Sequence, residues 1–224
     1  DPFSGTNVYS VALDTNYANQ ITVPSDATGA TTQITKLSNE ALQNLNTAQV
    51  QKLTSAQLQQ LTTAQVNALE VDDVAKLESS QIQSLTTAQV SKLDVDRLGA
   101  LTTSQINALT STQVKSLTTS QLSNLTTAQV KALSTAQVSA LSAQQINAWG
   151  ADQIAAIATE VVAALTTGQI AGLTKDTVQS LTSDQVVKLT TGQMQAMSSS
   201  QINALDASDA SELLSSQIDR KSVV

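Results

Sequence analysis

Residues 125–140 read LTTAQVKA followed by LSTAQVSA, which are two copies of one octapeptide. The same pattern, L-T-T-x-Q-[V/I]-x-x, continues on both sides. An apolar residue recurs every eight positions from Leu37 to Leu213 without an insertion or a deletion, and a second series follows five positions later, from Leu42 to Ile218. Self-similarity at a fixed period is the sequence signature of a solenoid. The octad therefore decides the fold.

Two regular geometries fit the octad poorly. In a β-strand the two apolar series would point to opposite faces, because their separation of five residues is odd and side chains alternate with period two. In one uninterrupted α-helix, eight residues exceed two turns by about 80°, so the apolar stripe would wrap around the helix and leave no single face to bury. Paired threonines are also weak helix formers.

A short helix that starts anew in each octad explains nearly every position. With Thr62 as the N-cap, Gln65 falls at the third helical position (N3), which is the capping-box pattern. Leu61 and Val66 then occupy the two positions of the hydrophobic staple. A single turn is unstable alone, so only stacking of the two apolar series into one continuous spine could stabilise it. The pattern predicts an all-α solenoid with one very short helix per octapeptide.

The residues found at the cap position support this interpretation. Short polar side chains that can accept from free N–H groups occupy it almost throughout. They are Thr, Ser, Asn46, Asp94 and Asp206, and the departures are Glu70, Glu78, Gly150, Ala158 and Leu214. At N3, glutamine is replaced by Asp73, Arg97, Val161, Thr177 or Asp209.

The octads divide the chain into three parts. Residues 1–34 lack the repeat, residues 35–220 form the predicted octapeptide-repeat α-solenoid, and residues 221–224 form a C-terminal tail. The first part contains two β-prone runs, at residues 8–13 and 20–23. It is interpreted either as a leader or linker, or as a cap or arm that joins a neighbouring subunit, because a solenoid end exposes an apolar face.

The composition argues against an enzyme. The chain has no Cys and no His, so a thiolate nucleophile, an imidazole base, a disulfide and the usual zinc sites are excluded. Ser and Thr are abundant, but no base is singled out to activate one of them. We expect no catalytic, cofactor-binding or metal residues, and no cofactor.

The charge and hydropathy of the chain limit the kinds of partner that it is expected to bind. The net charge is −7 and the basic residues are scattered, which disfavours nucleic acid. The apolar run at residues 154–165 is too short to cross a membrane, so no membrane insertion is expected. Acidic clusters at residues 70–73, 94–96 and 206–209 could hold calcium through oxygen ligands, but they lack a known calcium-loop pattern and are better interpreted as helix-start anions.

The largest departure from the repeat lies at Trp149 and Gly150. One interpretation is an oversized core residue relieved by the glycine. The alternative is a bend or an exposed apolar face used for association.

The octads between Leu37 and Ile218 resemble the short Leu-Thr-rich tandem repeats of large secreted and cell-surface proteins of proteobacteria. Those proteins include adhesin-like and extracellular-matrix or filament proteins. The resemblance implies export and a structural or adhesive role. The run Leu-Thr-x-x-Gln-Val also resembles a helix start in the repeats of transcription-activator-like effectors. Those repeats have a longer period, a second helix and base-reading loops that this octad lacks, so DNA reading is not expected.

We therefore expect a secreted or cell-surface scaffold that self-assembles into a fibre, filament or surface layer. Copies would join by end-to-end or lateral packing, with residues 1–34 as the joining segment. The alternative is a monomeric adhesin or spacer that binds a receptor or carbohydrate, neither of which the sequence identifies, through outward positions. Those positions include Gln59, Asn67, Lys115 and Lys131. A third hypothesis, a β-aggregate of the Gln- and Thr-rich chain, would show no helix.

Overall fold

The computed structural model of the protein describes residues 34–205 and Leu213. The two β-prone runs, the C-terminal tail and the cap positions Asp206 and Leu214 lie outside the described residues. The acidic cluster at 206–209 also lies outside them.

Residues 38–205 contain 21 short α-helices and no strand, with one helix in each octad. The predicted all-α repeat with one helix per octapeptide is therefore confirmed. The helices are α1 (Asn39–Gln43), α2 (Thr47–Gln51), α3 (Ser55–Gln60), α4 (Thr63–Val66), α5 (Val71–Val74), α6 (Ser79–Ser84), α7 (Thr87–Ser91), α8 (Val95–Ala100), α9 (Thr103–Ala108), α10 (Ser111–Ser116), α11 (Thr119–Ser123), α12 (Thr127–Ala132), α13 (Thr135–Ser139), α14 (Ala143–Ile146), α15 (Ala151–Ala156), α16 (Thr159–Ala163), α17 (Thr167–Ala171), α18 (Lys175–Gln179), α19 (Ser183–Val186), α20 (Thr191–Ala196) and α21 (Ser199–Ile202).

Each helix ends because the Leu-Thr junction is extended. Leu117 closes α10 with φ −62° and ψ 138°, and Thr118 follows with φ −74° and ψ 160°. The Thr118 hydroxyl accepts from the backbone N–H of Gln121 at 3.1 Å, and Gln121 Oε1 accepts from the Thr118 N–H at 2.9 Å. The predicted capping box is confirmed here and in most other octads.

One predicted cap is wrong. Asp94 makes no cap hydrogen bond, and its carboxylate pairs instead with the Arg97 guanidinium at 3.2 Å. Arg97 stands where other octads have glutamine, so it draws the carboxylate away from the free N–H groups. The departures Glu70 and Ala158 also cap their helices without a side-chain hydrogen bond.

A helix packs on the helix three octads further along the chain. The described chain falls into two compact units, one ending at Leu101 and the other beginning at Thr102. Within the first unit α4 packs on α7, and within the second unit α12 packs on α15. The first residues of α12 and α15, Thr127 and Ala151, are 24 positions apart. Three octads therefore complete one superhelical turn in each unit.

Both apolar series lie inside these turns. Leu117 and Val114 are 3% and 0% exposed, and nearly all other described members of the two series are buried as well. Among the described residues, Val95 is the only large apolar side chain that is exposed, at 37%. It lies outside the two series, at the first position of α8.

Trp149 is buried, at 4% exposed, as its interpretation as a core residue predicts. Apart from its two neighbours in sequence, a Cβ at Gly150 would meet only Gln153 Oε1 at 3.9 Å, so no other turn approaches closely enough to require a glycine there. The indole N–H of Trp149 is the one buried side-chain polar group among the described residues that lacks a hydrogen-bond partner.

The close approach of two turns occurs instead at Gly172, which follows α17. A Cβ at Gly172 would lie 2.6 Å from the Ala143 Cβ in α14, one turn earlier, so Gly172→Ala is expected to destabilise the protein by about 1–3 kcal/mol. Gly168, within α17, is the matched control, because a Cβ there would meet only the Thr166 hydroxyl, at 3.9 Å. Gly168→Ala is expected to stabilise by up to about 1 kcal/mol through helix propensity. Urea unfolding of the two variants measures both effects, and the same sign for both would contradict this packing.

Candidate functional site

The most regular polar feature of the described chain is the glutamine at N3. Gln137 is 2% exposed, and its Oε1 accepts from the N-cap N–H of Ser134 at 2.7 Å. Its amide nitrogen donates to the Leu109 carbonyl at 2.7 Å and to the Ile106 carbonyl at 2.9 Å, both in the preceding superhelical turn. The side chain therefore starts its own helix and binds the turn before it.

We call the hydrogen bond from an N3 glutamine amide to the carbonyl 28 residues earlier the glutamine clasp. Among described residues of the same unit, the distance from the glutamine Nε2 to the carbonyl oxygen is 2.6–2.9 Å. The acceptors are Leu37, Leu53, Leu61, Leu109, Leu117, Leu125, Leu141, Ile157, Leu165 and Leu173. Because the amide has two donors, most of these glutamines also reach the carbonyl 30 or 31 residues earlier.

Sequence reasoning missed the glutamine clasp, although one signal was present. A capping box accepts Glu as well as Gln at N3, yet no octad has Glu at this position. A carboxylate can accept the N-cap hydrogen bond but cannot donate, whereas an amide does both. The use of Gln and never Glu therefore indicated a required donor in most octads, but it could not show where the acceptor lies.

Asparagine at the seventh octad position joins turns in the opposite direction along the chain. Asn67 donates to the Lys92 carbonyl at 2.7 Å, and Asn147 donates to the Gly172 carbonyl at 2.9 Å. Their side-chain oxygens accept from the N-cap N–H groups of Asp94 and Thr174, each at 3.0 Å. The octads that begin their helices at Asp94 and Thr174 lack glutamine at N3. The asparagine of the preceding turn therefore supplies the acceptor for the N-cap N–H that glutamine supplies elsewhere.

Three of the N3 substitutions keep a side-chain link between turns by other means. Arg97 donates its Nε to the Leu69 carbonyl at 2.8 Å, which is the 28-residue register of the glutamine clasp. Thr177 donates its hydroxyl to Asn147 Oδ1 at 2.8 Å, and Asp73 accepts from the Thr47 hydroxyl. Val161 has no polar side-chain atom, so it cannot form such a link.

The second unit has a shallow open depression of about 530 Å³ on its surface. We call it the alanine depression, and it is lined in part by Ala128, Ala155, Ala156 and Ala158, with Lys131 and Asp184 among its polar lining residues. At one place on its wall a small residue stands where the adjoining turns have longer ones. Ala155 is preceded one turn earlier by Lys131 and followed one turn later by Gln179.

The outward positions predicted for ligand binding separate into two kinds. Gln59, Lys115 and Lys131 are exposed, as predicted. Asn67 is wrong as a free contact residue, because it is half-buried and both ends of its amide bind the next turn.

The part of the chain that the structure describes was predicted to bind no metal and to enter no membrane. No group of three acidic side chains there comes together where it could hold a metal ion. Within the same residues, no helix has the length and apolar character needed to span a membrane.

Comparison with protein families gives one assignment. A family model for the ALTTAQ repeat matches residues 34–71, 66–103, 74–111, 90–127, 123–159 and 154–191. The chain belongs to the ALTTAQ repeat family. Matches to the ALTTAQ repeat overlap along most of the described chain, which confirms the predicted tandem repeats. A comparison with curated proteins finds no match.

Proposed function

We propose that this ALTTAQ repeat protein is an extracellular structural scaffold that assembles with further copies into a fibre, filament or surface layer. The observation that carries the proposal is the uniform turn-to-turn interface. The glutamine clasp recurs with the same register and nearly the same length from turn to turn within each unit. Such an array builds length by repetition, which is what a scaffold requires.

The surface chemistry supports the same proposal. The N3 glutamines hold the turns together and are mostly buried, so they are not available to a ligand. The exposed surface consists mainly of small hydroxyl, amide and alanine side chains with few charges. Together with the lack of His and Cys in the sequence, this favours a structural role over catalysis. We place the protein outside the cell, as the resemblance of its octads implies.

Assembly is tested by sedimentation velocity on the purified full chain over a range from micromolar to millimolar concentration, with electron microscopy of the most concentrated samples. The expected result is a mass that rises with concentration and elongated or layered particles in the images. Monomers at every concentration would overturn the assembly part of the proposal.

A second candidate is a monomeric adhesin or spacer, and the exposure of Gln59, Lys115 and Lys131 favours it. In a spacer, deletion of three octads removes one complete superhelical turn and should shorten the particle while the remaining turns stay folded. Circular dichroism and small-angle scattering measure the two quantities. A global loss of helix after this deletion would count against a spacer made of independent turns.

A further inference from the structure

Helix α16 is the one described helix of the second unit with neither a side-chain hydrogen bond at its N-cap nor a polar side chain at N3. Its N-cap is Ala158. The Val161 side chain, at N3, can neither accept from the Ala158 N–H nor donate to the Leu133 carbonyl, 28 residues earlier. Gln153 and Gln169, at N3 of the two adjacent octads, make both of these bonds. The series of glutamine clasps is therefore interrupted at α16.

The interruption weakens the contact between α16 and the turn before it. Leu133 is 4% exposed, and no residue that the structure describes donates a hydrogen bond to its carbonyl. Within the described chain, residues 157–164 make one side-chain hydrogen bond to the preceding turn. It runs from the Ser139 hydroxyl to the Ala164 carbonyl, and at 3.4 Å it is long. We call the packing of α13 on α16 the weak seam.

The junction between α15 and α16 is close to a helical conformation. Ile157 has φ −63° and ψ 132°, and Ala158 has φ −63° and ψ 143°. An α-helix has φ of about −63° and ψ of about −42°, so two ψ angles separate these short helices from one continuous helix. The N–H groups of Ala158, Thr159 and Glu160 have no hydrogen-bond partner among the described residues. A continuous helix would pair each of them with the carbonyl four residues earlier.

The side chains oppose a continuous helix at other junctions and favour it at this one. The Leu117–Thr118 junction is also extended, but the capping box between Thr118 and Gln121 stabilises that conformation. Alanine is a poor N-cap residue and has the highest helix propensity. Residues 151–164 contain six alanines in 14 positions, one of them at the junction itself.

The apolar residues of this segment would form one stripe on a continuous helix. They lie at positions 154, 157, 161, 162 and 165. At about 100° per residue, these positions span about 140° of the helix surface, which is a normal width for a buried stripe. A helix over residues 151–164 also reaches the length of about 12–15 residues below which isolated helices are marginal.

We propose that the Ile157–Ala158 junction is an opening joint within the second unit. Rotation of its two ψ angles fuses α15 and α16 into one helix over residues 151–164 and parts the weak seam. The fused helix is about 21 Å long, so it separates α14 from α17, which pack together in the closed turn. Opening therefore lengthens the unit. Segments that move are drawn from the least stable parts of a fold. The joint belongs to a single chain and does not depend on assembly.

The test measures the separation of α14 and α17 with pairs of spin labels, because the chain has no cysteine of its own. The test pair is Gln144→Cys with Gly168→Cys, and the control pair is Ser120→Cys with Gln144→Cys. All three residues are exposed and hold the second position of their helices, in successive turns. Each labelled chain is diluted into unlabelled protein, so that the distances arise within one molecule. Pulsed electron spin resonance is recorded at increasing urea below the global unfolding transition, which circular dichroism locates.

The control pair should keep the short distance of packed helices, whose axes lie about 8–10 Å apart. The test pair should show this distance and a second one, longer by about 10 Å or more, whose fraction grows with urea. The double variant Ala158→Thr, Val161→Gln supplies the missing cap and clasp. In this variant the fraction of the longer distance should fall about tenfold or more.

Three results would overturn the opening joint. They are a test pair that keeps only the short distance up to global unfolding, a control pair that lengthens equally, and a double variant that opens as readily as the wild type. If circular dichroism shows that the double variant does not fold, the comparison of the two label pairs in the otherwise unchanged chain still decides.

Discussion

Leu117→Asp is expected to destabilise the second unit by about 4 kcal/mol or more, which is an exceptional loss for one substitution. The Leu117 side chain is 3% exposed and belongs to the apolar spine. An aspartate there would place a carboxylate among apolar side chains with no charged partner, and a buried unpaired charge is costly. Urea unfolding followed by circular dichroism measures the free energy of unfolding.

Thr118→Asp is the matched control, one residue further along the chain. Thr118 is exposed and its hydroxyl accepts from the Gln121 N–H, a role that aspartate fills equally well at an N-cap. The free energy of unfolding should change by no more than about 0.5 kcal/mol. Equal losses in the two variants would mean that the spine and cap positions have been assigned incorrectly.

Gln137→Leu is expected to cost about 3 kcal/mol of unfolding free energy. The substitution keeps the apolar volume but leaves the Leu109 carbonyl and the Ser134 N–H without the partner that Gln137 supplies, whereas the Ile106 carbonyl keeps the backbone hydrogen bond from the Leu109 N–H. Each buried polar group left unpaired costs about 1–3 kcal/mol. Chemical denaturation with a two-state fit, checked by hydrogen exchange of the Ser134 amide, measures the loss.

Gln145→Leu is the control for this prediction. Gln145 makes the same glutamine clasp, to the Leu117 carbonyl at 2.8 Å, but it is only half-buried. Water can solvate the groups that it leaves, so the expected cost is about 1 kcal/mol. A loss as large as that of Gln137→Leu would show that burial does not govern the strength of the clasp.

Gln137→Glu separates the two roles of the side chain. A glutamate keeps the acceptor for the Ser134 N–H and satisfies the capping box, but it cannot donate to the two carbonyls. It also directs a buried negative charge at them. We therefore expect Gln137→Glu to be more destabilising than Gln137→Leu, whereas a capping box alone would tolerate glutamate.

The octad was sufficient to predict the helix starts because their interactions are local. A capping box joins residues three positions apart, so the spacing of Thr and Gln is visible in any single repeat. The failure at Asp94 has the same local origin, since the carboxylate has a choice between the helix N–H groups and Arg97, and geometry decides it.

The repeat period, the two buried series and the start of each helix could all be derived from residues within one octad and its neighbour. The number of octads in a superhelical turn could not be derived in this way. It depends on hydrogen bonds between residues that lie 25 to 31 positions apart in the chain. The second role of glutamine, the asparagine link in the opposite direction and the alanine depression all arise where separate turns meet. A local pattern indicates that a buried amide needs an acceptor, and only the packing of one turn on another decides which carbonyl lies within its reach.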